Sequence, residues 1–194
     1  MTSDLFVFLN THTPVSSEDF EELMSYAEHC SFGKKVRLTD IGEVEHYMYF
    51  IQEGLARKFF YRGKNEVITH IVKEGGIIGS AASFFSGTAS RYIVDTLEPV
   101  EALRFAKEKL EELYRSGRKW ERIGRIITTH YFLLQELHLL DNIRYSTRER
   151  FVRFINDNAD LVLRVPQKHL ASYLNIKPET FSRLKHLLVK RKHE

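Results

Sequence analysis

Residues 165–188 read VPQKHLASYLNIKPETFSRLKHLL. Their spacing meets what two helices packed at a steep angle through a tight turn require. Pro166 suits the first helical position, where a missing N–H costs nothing. Leu170 and Leu174 fall on one face, and Ala171 is small where a second helix must approach closely. Asn175 is the best substitute for glycine at a turn position that needs the left-handed conformation. Ile176 plugs the corner, Pro178 opens the second helix, Phe181 and Leu184 anchor it inward, and Leu188 continues the stripe. These demands converge in one window. A helix-turn-helix is therefore the expected reading, with a plain helical hairpin of a bundle as the alternative.

The outward face of the second helix then carries Lys177, Glu179, Thr180, Ser182, Arg183, Lys185 and His186. A recognition helix offers its N-terminal half to base edges, where Arg grips guanine and Glu accepts from cytosine. Thr180, Ser182, Lys177 and Lys185 suit phosphates, as do Gln167 and Lys168 at the start of the first helix. Taken singly, Glu179 could simply complement a helix N-terminus, and Arg183 could be an exposed helix former. Charge favours the nucleic-acid reading. From Leu161 to Glu194 there are eight basic and two acidic residues, a net +6, while the rest of the chain holds 21 basic and 24 acidic residues, a net −3. A basic end on a slightly acidic body is the layout of a polyanion-binding module joined to something else.

Upstream the texture changes. From Gly33 to Ala106 short β-branched and aromatic runs (KKVRL, YMYFI, LARKFFY, EVITHIV, RYIVDTL, VEALRF) recur between Gly, Asn, Asp and Glu-Pro turns. Period-two alternation is visible at Tyr47, Tyr49 and Ile51 and at Val67, Thr69 and Ile71. Many short strands with regular turns predict a sandwich, jelly roll or barrel. Before them, Ser16 to Asp19 offer caps and early acids, and Phe20, Leu23, Met24 and Ala27 predict a helix over 17–30. After the strands everything reads helical. A short helix over 107–115 is interrupted at Gly117. A long one over 118–142 follows, with Ile123, Ile126, His130, Leu133, Leu137 and Leu140 on a three-four spacing. Ile127, Phe132, Leu134 and Leu139 widen its stripe, so one face should bury on its own domain and another on a second copy of the chain. Ser146 and Glu149 have capping-box spacing and open a further helix.

The layout resembles the CRP/FNR family of bacterial transcription regulators. The resemblance rests on YMYFIQEGLARKFF, GGIIGSAASFFSGTASRYIVDTLEP and STRERFVRFI…VPQKHLASYLNIKPETFSRLK, and most resembles the branch common in Bacteroidetes. It implies an α+β chain: an N-terminal jelly roll (a double-stranded β-helix, cyclic-nucleotide-binding-like) over 1–116, a long dimerisation helix over 117–143, and an all-α helix-turn-helix domain over 144–194. The wing of that last domain is reduced, because only LVLRV precedes the motif and about six residues follow the second helix. By resemblance Glu179 and Arg183 fall at base-reading positions, and Pro178 stands where an Arg often sits, so an operator sequence does not carry over. The partners implied are a palindromic operator in double-stranded DNA and a second copy of the chain. RNA polymerase and a small-molecule effector of unknown identity complete that set.

The resemblance also implies an effector cassette in which a Gly-Glu pair holds a ribose hydroxyl and an Arg-Ser pair meets a cyclic phosphate. Here Gly79 is followed by Ser80, and the later pair reads Ser90-Arg91. A one-residue slip in a strand turns a side chain to the opposite face. A ribose hydroxyl left without its acid loses about 1–3 kcal/mol. The expectation is a regulator that does not respond to a cyclic nucleotide. The alternatives are a cyclic-nucleotide-responsive regulator, or a β-roll protein-interaction module that binds no DNA.

Composition narrows the rest. The lone cysteine, Cys30, excludes a disulfide framework and an iron–sulfur cage and fits a reducing cytoplasm. MTSDLFVFLN lacks a basic region and a long apolar core, so no secretion signal is expected. His46 and His70 are lone strand histidines, weak as haem ligands. Arg62-Gly63-Lys64-Asn65 lacks a Walker loop's first glycine and its Ser/Thr, and reads as a hairpin turn. Glu43 and Glu45 alternate near a turn and read as solubilising. No enzyme, metal site or cofactor is expected.

Overall fold

The computed structural model describes residues 4–191, with side chains described through Lys185. Helices α1 (Asp4–His12) and α2 (Ser17–Met24) come first. In α1, Leu5 and Leu9 lie one turn apart and both are buried. Ser16 caps α2 reciprocally with Asp19: the Asp19 N–H donates to Ser16 Oγ at 3.1 Å and the Ser16 N–H to Asp19 Oδ2 at 3.3 Å. The helix expected to reach residue 30 stops at Met24, and Glu28–Phe32 forms strand β1 instead. Tertiary pairing overrides local spacing here, because Cys30 pairs with Ala102 and turns with Phe32 into the apolar space between two sheets.

The remaining strands are β2 (Arg37–Thr39), β3 (Tyr47–Glu53), β4 (Ala56–Arg62), β5 (Asn65–Val72), β6 (Ile77–Ile78), β7 (Ile93–Thr96) and β8 (Val100–Ala106), with the short helix α3 (Ala81–Ser86) between β6 and β7. They form two four-stranded sheets, ordered β1-β8-β3-β6 and β2-β7-β4-β5. The result is a β-roll. The register Tyr49↔Arg104, Phe50↔Leu103, Ile51↔Ala102 assigns alternate residues to opposite faces. Tyr49, Ile51 and Ala102 meet Ala56 and Val94 between the sheets. Phe50, Leu103 and Phe105 face the other way, against α1, α2, α4 (Lys107–Ser116) and the first half of α5 (Arg118–Arg144), through Leu5, Leu23, Leu113 and Trp120. Gly54 sits at φ +93°, where an added Cβ would lie 2.0 Å from the Pro99 carbonyl oxygen.

The helices after α5 are α6 (Thr147–Asp157), α7 (Ala159–Arg164), α8 (Gln167–Tyr173) and α9 (Pro178–Arg191). Ser146 and Glu149 form the expected capping box. The stretch LVLRV, read as what remains of a wing, is the end of helix α7 and Val165. Leu161 and Val165, four residues apart, are buried, while Leu163 between them is 89% exposed. Strand alternation would have buried all three; helical spacing buries the outer two. The second helix of the motif also continues to Arg191, further than the sequence suggested.

The described chain divides into two compact units, residues 4–60 with 69–131 and residues 61–68 with 132–191. The division falls inside α5, and the β4–β5 hairpin tip belongs with the second unit. Within that unit Ser172 Oγ donates to the Glu66 carbonyl at 2.8 Å and accepts from the Ile68 N–H at 3.0 Å. Among the described residues no helix is long and apolar enough to cross a membrane.

Candidate functional site

The opening stretch becomes α8, a turn, and α9. Asn175 adopts φ +53°, the left-handed conformation its position demands. The turn is closed by Asn175 N–H to Ser172 O at 3.0 Å and Ile176 N–H to Ala171 O at 2.9 Å. Leu170, Ala171 and Phe181 are fully buried, Leu174 and Leu184 nearly so. Phe181 meets Phe151 of α6 edge-on at 5.1 Å between ring centroids. Pro166 stands one position before α8, at its cap, and Pro178 is the first residue of α9. With the inward positions committed to packing, the outward ones are free for contact. Gln167, Lys168, Lys177, Glu179, Ser182 and Arg183 are exposed; Thr180 and Lys185 are half-buried. Glu179 and Arg183, one turn apart, share a face. The His186 side chain, and Leu188 with the basic residues from Lys190 onward, lie outside the described side chains.

The residues expected to form an effector cassette belong to the first unit. Gly79 is buried, and an added Cβ would meet Met48 Sδ at 2.7 Å and the Tyr47 carbonyl at 3.1 Å. Ser80 and Ser90 are buried with their hydroxyls 2.8 Å apart. Arg91, expected beside them, is exposed and does not join them. The Ser90 backbone is held by the segment before β3: its N–H donates to Glu43 O at 2.7 Å, and its carbonyl accepts from Gly42 N–H at 2.9 Å.

Glu45 corrects the sequence reading. Glu43 is exposed, but Glu45 is 2% exposed and its carboxylate accepts from Thr39 Oγ1, from the Ser80 N–H at 3.1 Å and from the Tyr47 N–H at 3.2 Å. A charge buried so deeply needs such donors. Its own N–H donates to Ser83 Oγ at 2.9 Å. A carboxylate from the β2–β3 loop thus stitches the cassette to the sheet where the family pattern has one in the cassette itself. A separate cleft of about 630 Å³, lined by Phe32, Tyr47, Tyr49, Glu45 and Arg104 among others, includes none of Gly79, Ser80, Ser90 or Arg91.

Sequence reasoning also passed over Lys58. It pairs with Val94 and shares the inward face of Ala56, between the sheets. Its ammonium lies 5.3 Å from the centroid of the Tyr92 ring, which meets Phe60 edge-on at 6.1 Å. Burial lowers its pKa to about 8. The signal was present in the alternation Ala56, Lys58, Phe60, which sets a lysine among inward residues. Its neighbour Arg57 points oppositely and is paired bidentately with Asp95 at 2.7 and 3.0 Å.

The seam residues of α5 separate into two groups. Ile123, assigned by spacing to a second copy, is 8% exposed and packs in the first unit's own core. That placement removes it from the expected partner face. Ile126 is half-buried, and His130 lies edge-on to His12 at 4.1 Å. From Phe132 onward the stripe is open: Leu133, Leu137 and Leu140 are 54%, 58% and 49% exposed, with Phe132, Leu134, Leu139 and Ile143 beside them. His46 is exposed, and the His70 ring contacts Thr69 Oγ1 at 3.1 Å. Among the described residues no three His, Cys, Asp or Glu side chains gather as metal ligands.

Residues 30–116, which hold the β-roll, match the cyclic nucleotide-binding domain family. The chain is similar in fold to the c-di-GMP-responsive global regulator CLP of Xanthomonas campestris, with 15% identity over 91% of this chain and 93% of that one and a TM-score of 0.71. FixK2 of Bradyrhizobium japonicum aligns at 19% identity over 86% of each chain, TM-score 0.73. The catabolite activator protein of Thermus thermophilus aligns at 19% identity over 98% of this chain and 88% of that one, TM-score 0.57. At such identities the likeness defines the fold alone. No curated protein matches the sequence.

Proposed function

We propose that this chain is a sequence-specific DNA-binding transcription regulator of the CRP/FNR type, working as a homodimer without a cyclic nucleotide. The observation that carries the reading is the α8–turn–α9 pair. Its apolar positions are used up in packing, while Lys168, Lys177, Glu179, Ser182 and Arg183 stay exposed on a stretch of net charge +6. In this reading the pair is a helix-turn-helix, α9 enters the major groove, Glu179 and Arg183 read bases, and Gln167, Lys168, Lys177, Thr180, Ser182 and Lys185 hold phosphates. The open apolar stripe from Leu133 to Leu140 pairs two copies, setting their recognition helices about 34 Å apart on a palindromic operator. RNA polymerase is the further partner such a regulator would meet.

The family match of the β-roll is the one observation favouring a cyclic-nucleotide effector. Against it stand the missing acid at Ser80, the exposed Arg91, and two buried serine hydroxyls bonded to each other at 2.8 Å. Selection of bound sequences from random duplex DNA tests the main reading, and enrichment of a two-fold symmetric site is expected. A protein that enriches no sequence at low salt is not such a regulator. Equilibrium dialysis with cyclic AMP and cyclic GMP tests the second reading, and no saturable binding is expected.

A further inference from the structure

Lys58 is the feature that the DNA-binding reading leaves unused. It is half-buried on the inward face of β4, level with Val94 of β7 and in line with Ala56. Its surroundings are aromatic: the Tyr92 ring lies 5.3 Å below the ammonium, and Phe60 closes edge-on against Tyr92 at 6.1 Å. Among the described residues no carboxylate hydrogen-bonds or ion-pairs with it. The nearest acid across the strand pair, Asp95, lies on the opposite face and is taken by Arg57 in a bidentate pair. Cation–π attraction offsets only part of the hydration a buried ammonium gives up. An inward cation without a counter-ion, set over the Tyr92 ring with Phe60 beside it, is half of a binding site.

We propose that Lys58, Phe60 and Tyr92 form an effector site for a small organic anion with a flat, aromatic or conjugated body. The anionic group meets the Lys58 ammonium and the flat body lies against Phe60 and Tyr92. This assignment rests on reading the β-roll as the sensing half of a regulator. It differs from cyclic-nucleotide recognition in its chemistry. No ribose-binding acid stands at Ser80, and the ligand's charge is met from strand β4, not from the cassette between β6 and β7. Burial of Lys58 is consistent with the same conclusion, since its pKa is held to about 8 until an anion arrives. The charge requires an anion, because a cationic ligand would be repelled by Lys58.

The test uses the full-length protein with three probes of one size class: benzoate, acetate (the charge without the ring) and benzamide (the ring without the charge). Binding to the parent and to each variant is measured by equilibrium dialysis of the probe, and the Lys58 titration in the parent is followed by the NMR signal of its side-chain Cε, assigned by its loss in Lys58→Met. Benzoate is expected to bind at least tenfold more tightly than either other probe and to move the Lys58 titration upward. Lys58→Met abolishes this binding, and Lys58→Arg keeps it within a few-fold. Benzoate binding no more tightly than acetate, or equally well to Lys58→Met, overturns the proposal. So does a Lys58 that titrates like an exposed lysine with no anion present. The DNA selection is scored separately. A protein that enriches an operator but ignores benzoate refutes only the effector site, whereas one that binds benzoate at Lys58 but enriches no DNA refutes only the regulator.

Discussion

Replacing Lys58 by Met should stabilise the protein, although it removes a charged group from a domain with no visible fault. The ammonium titrates at about 8 in the folded chain, against 10.5 for an ordinary lysine. The sign follows from proton counting. Below pH 8 both states carry the charge, and the folded state bears the full cost of burying it. Between 8 and 10.5 the unfolded chain holds a proton the folded chain has released, so stability rises with pH. The gap of 2.5 between the two values corresponds to about 3 kcal/mol at neutral pH. The same relation leaves about 1.4 kcal/mol at pH 9.5. Methionine keeps the unbranched stem and carries no charge, so it retains the packing against Tyr92. The assay is a pair of urea titrations of parent and Lys58→Met, near neutrality and at about pH 9.5, at one protein concentration so that any self-association affects both alike. The variant should lead by about 3 kcal/mol near neutrality and by less than half of that in base. A variant no more stable than its parent, or a lead that does not shrink with pH, would refute the claim that Lys58 is a buried unpaired cation.

Other perturbations separate packing from contact. Leu137→Glu adds a charge to the exposed stripe of α5 and should weaken self-association by about 100-fold or more in sedimentation equilibrium. Ile123→Ala, in contrast, should cost about 2–5 kcal/mol of stability and leave the association constant unchanged. Phe181→Ala opens a cavity beside Phe151 and should lose about 3–5 kcal/mol in chemical denaturation. Arg183→Ala should leave the denaturation midpoint within about 0.5 kcal/mol of the parent. It should relax preference at one base pair by about 1–3 kcal/mol in a binding assay on operator variants. Gly54→Ala combines a φ of +93° with a Cβ driven 2.0 Å from the Pro99 carbonyl. It should lose more than the roughly 1–2 kcal/mol of left-handed strain alone, read as a lower midpoint.

The elements legible in the sequence are those whose local signal and tertiary role agree. Asn175 announces the turn because few other side chains adopt its backbone conformation cheaply. The capping box at Ser146 and Glu149 is local, so it survives into the structure. Where the two disagree the sequence misleads. Helical spacing carries through Ala27, but pairing with β8 pulls Glu28–Phe32 into a strand. LVLRV is rich in β-branched residues, and only the burial of Leu161 and Val165 with Leu163 exposed marks it as helix. The three-four spacing along α5 is continuous, but it does not say where burial within one chain gives way to an open face. That change falls between Ile127, which still packs in the first unit's core, and Phe132, which is exposed. The roles of Glu45 and Lys58 were not legible for a different reason, although alternation already turned Lys58 inward. Each is a charged residue whose meaning depends on partners far along the chain, Ser80 for the one and Tyr92 for the other.

Glu45 also predicts what happens when the family's missing acid is restored. Ser80→Glu rebuilds the Gly-Glu pair by sequence, and on sequence grounds alone it should move the chain toward cyclic-nucleotide binding. The structure argues otherwise. Ser80 is buried, its hydroxyl bonded to Ser90 and its N–H to the Glu45 carboxylate. A second carboxylate there would lie beside the first with no added cation, because Arg91 is exposed. Two like charges in one buried site cannot both ionise cheaply. The variant should therefore lose about 3 kcal/mol or more at neutral pH, recover part of it in acid as one carboxyl takes a proton, and bind no cyclic AMP. Adding Glu45→Gln to Ser80→Glu removes the repulsion and should restore much of that stability, again without nucleotide binding. Calorimetric binding of cyclic AMP by either variant would show that only the acid was missing. Its absence, together with rescue by Glu45→Gln, would mean that this segment is built around a carboxylate from the β2–β3 loop, so that supplying an acid at residue 80 does not by itself create a cyclic-nucleotide site.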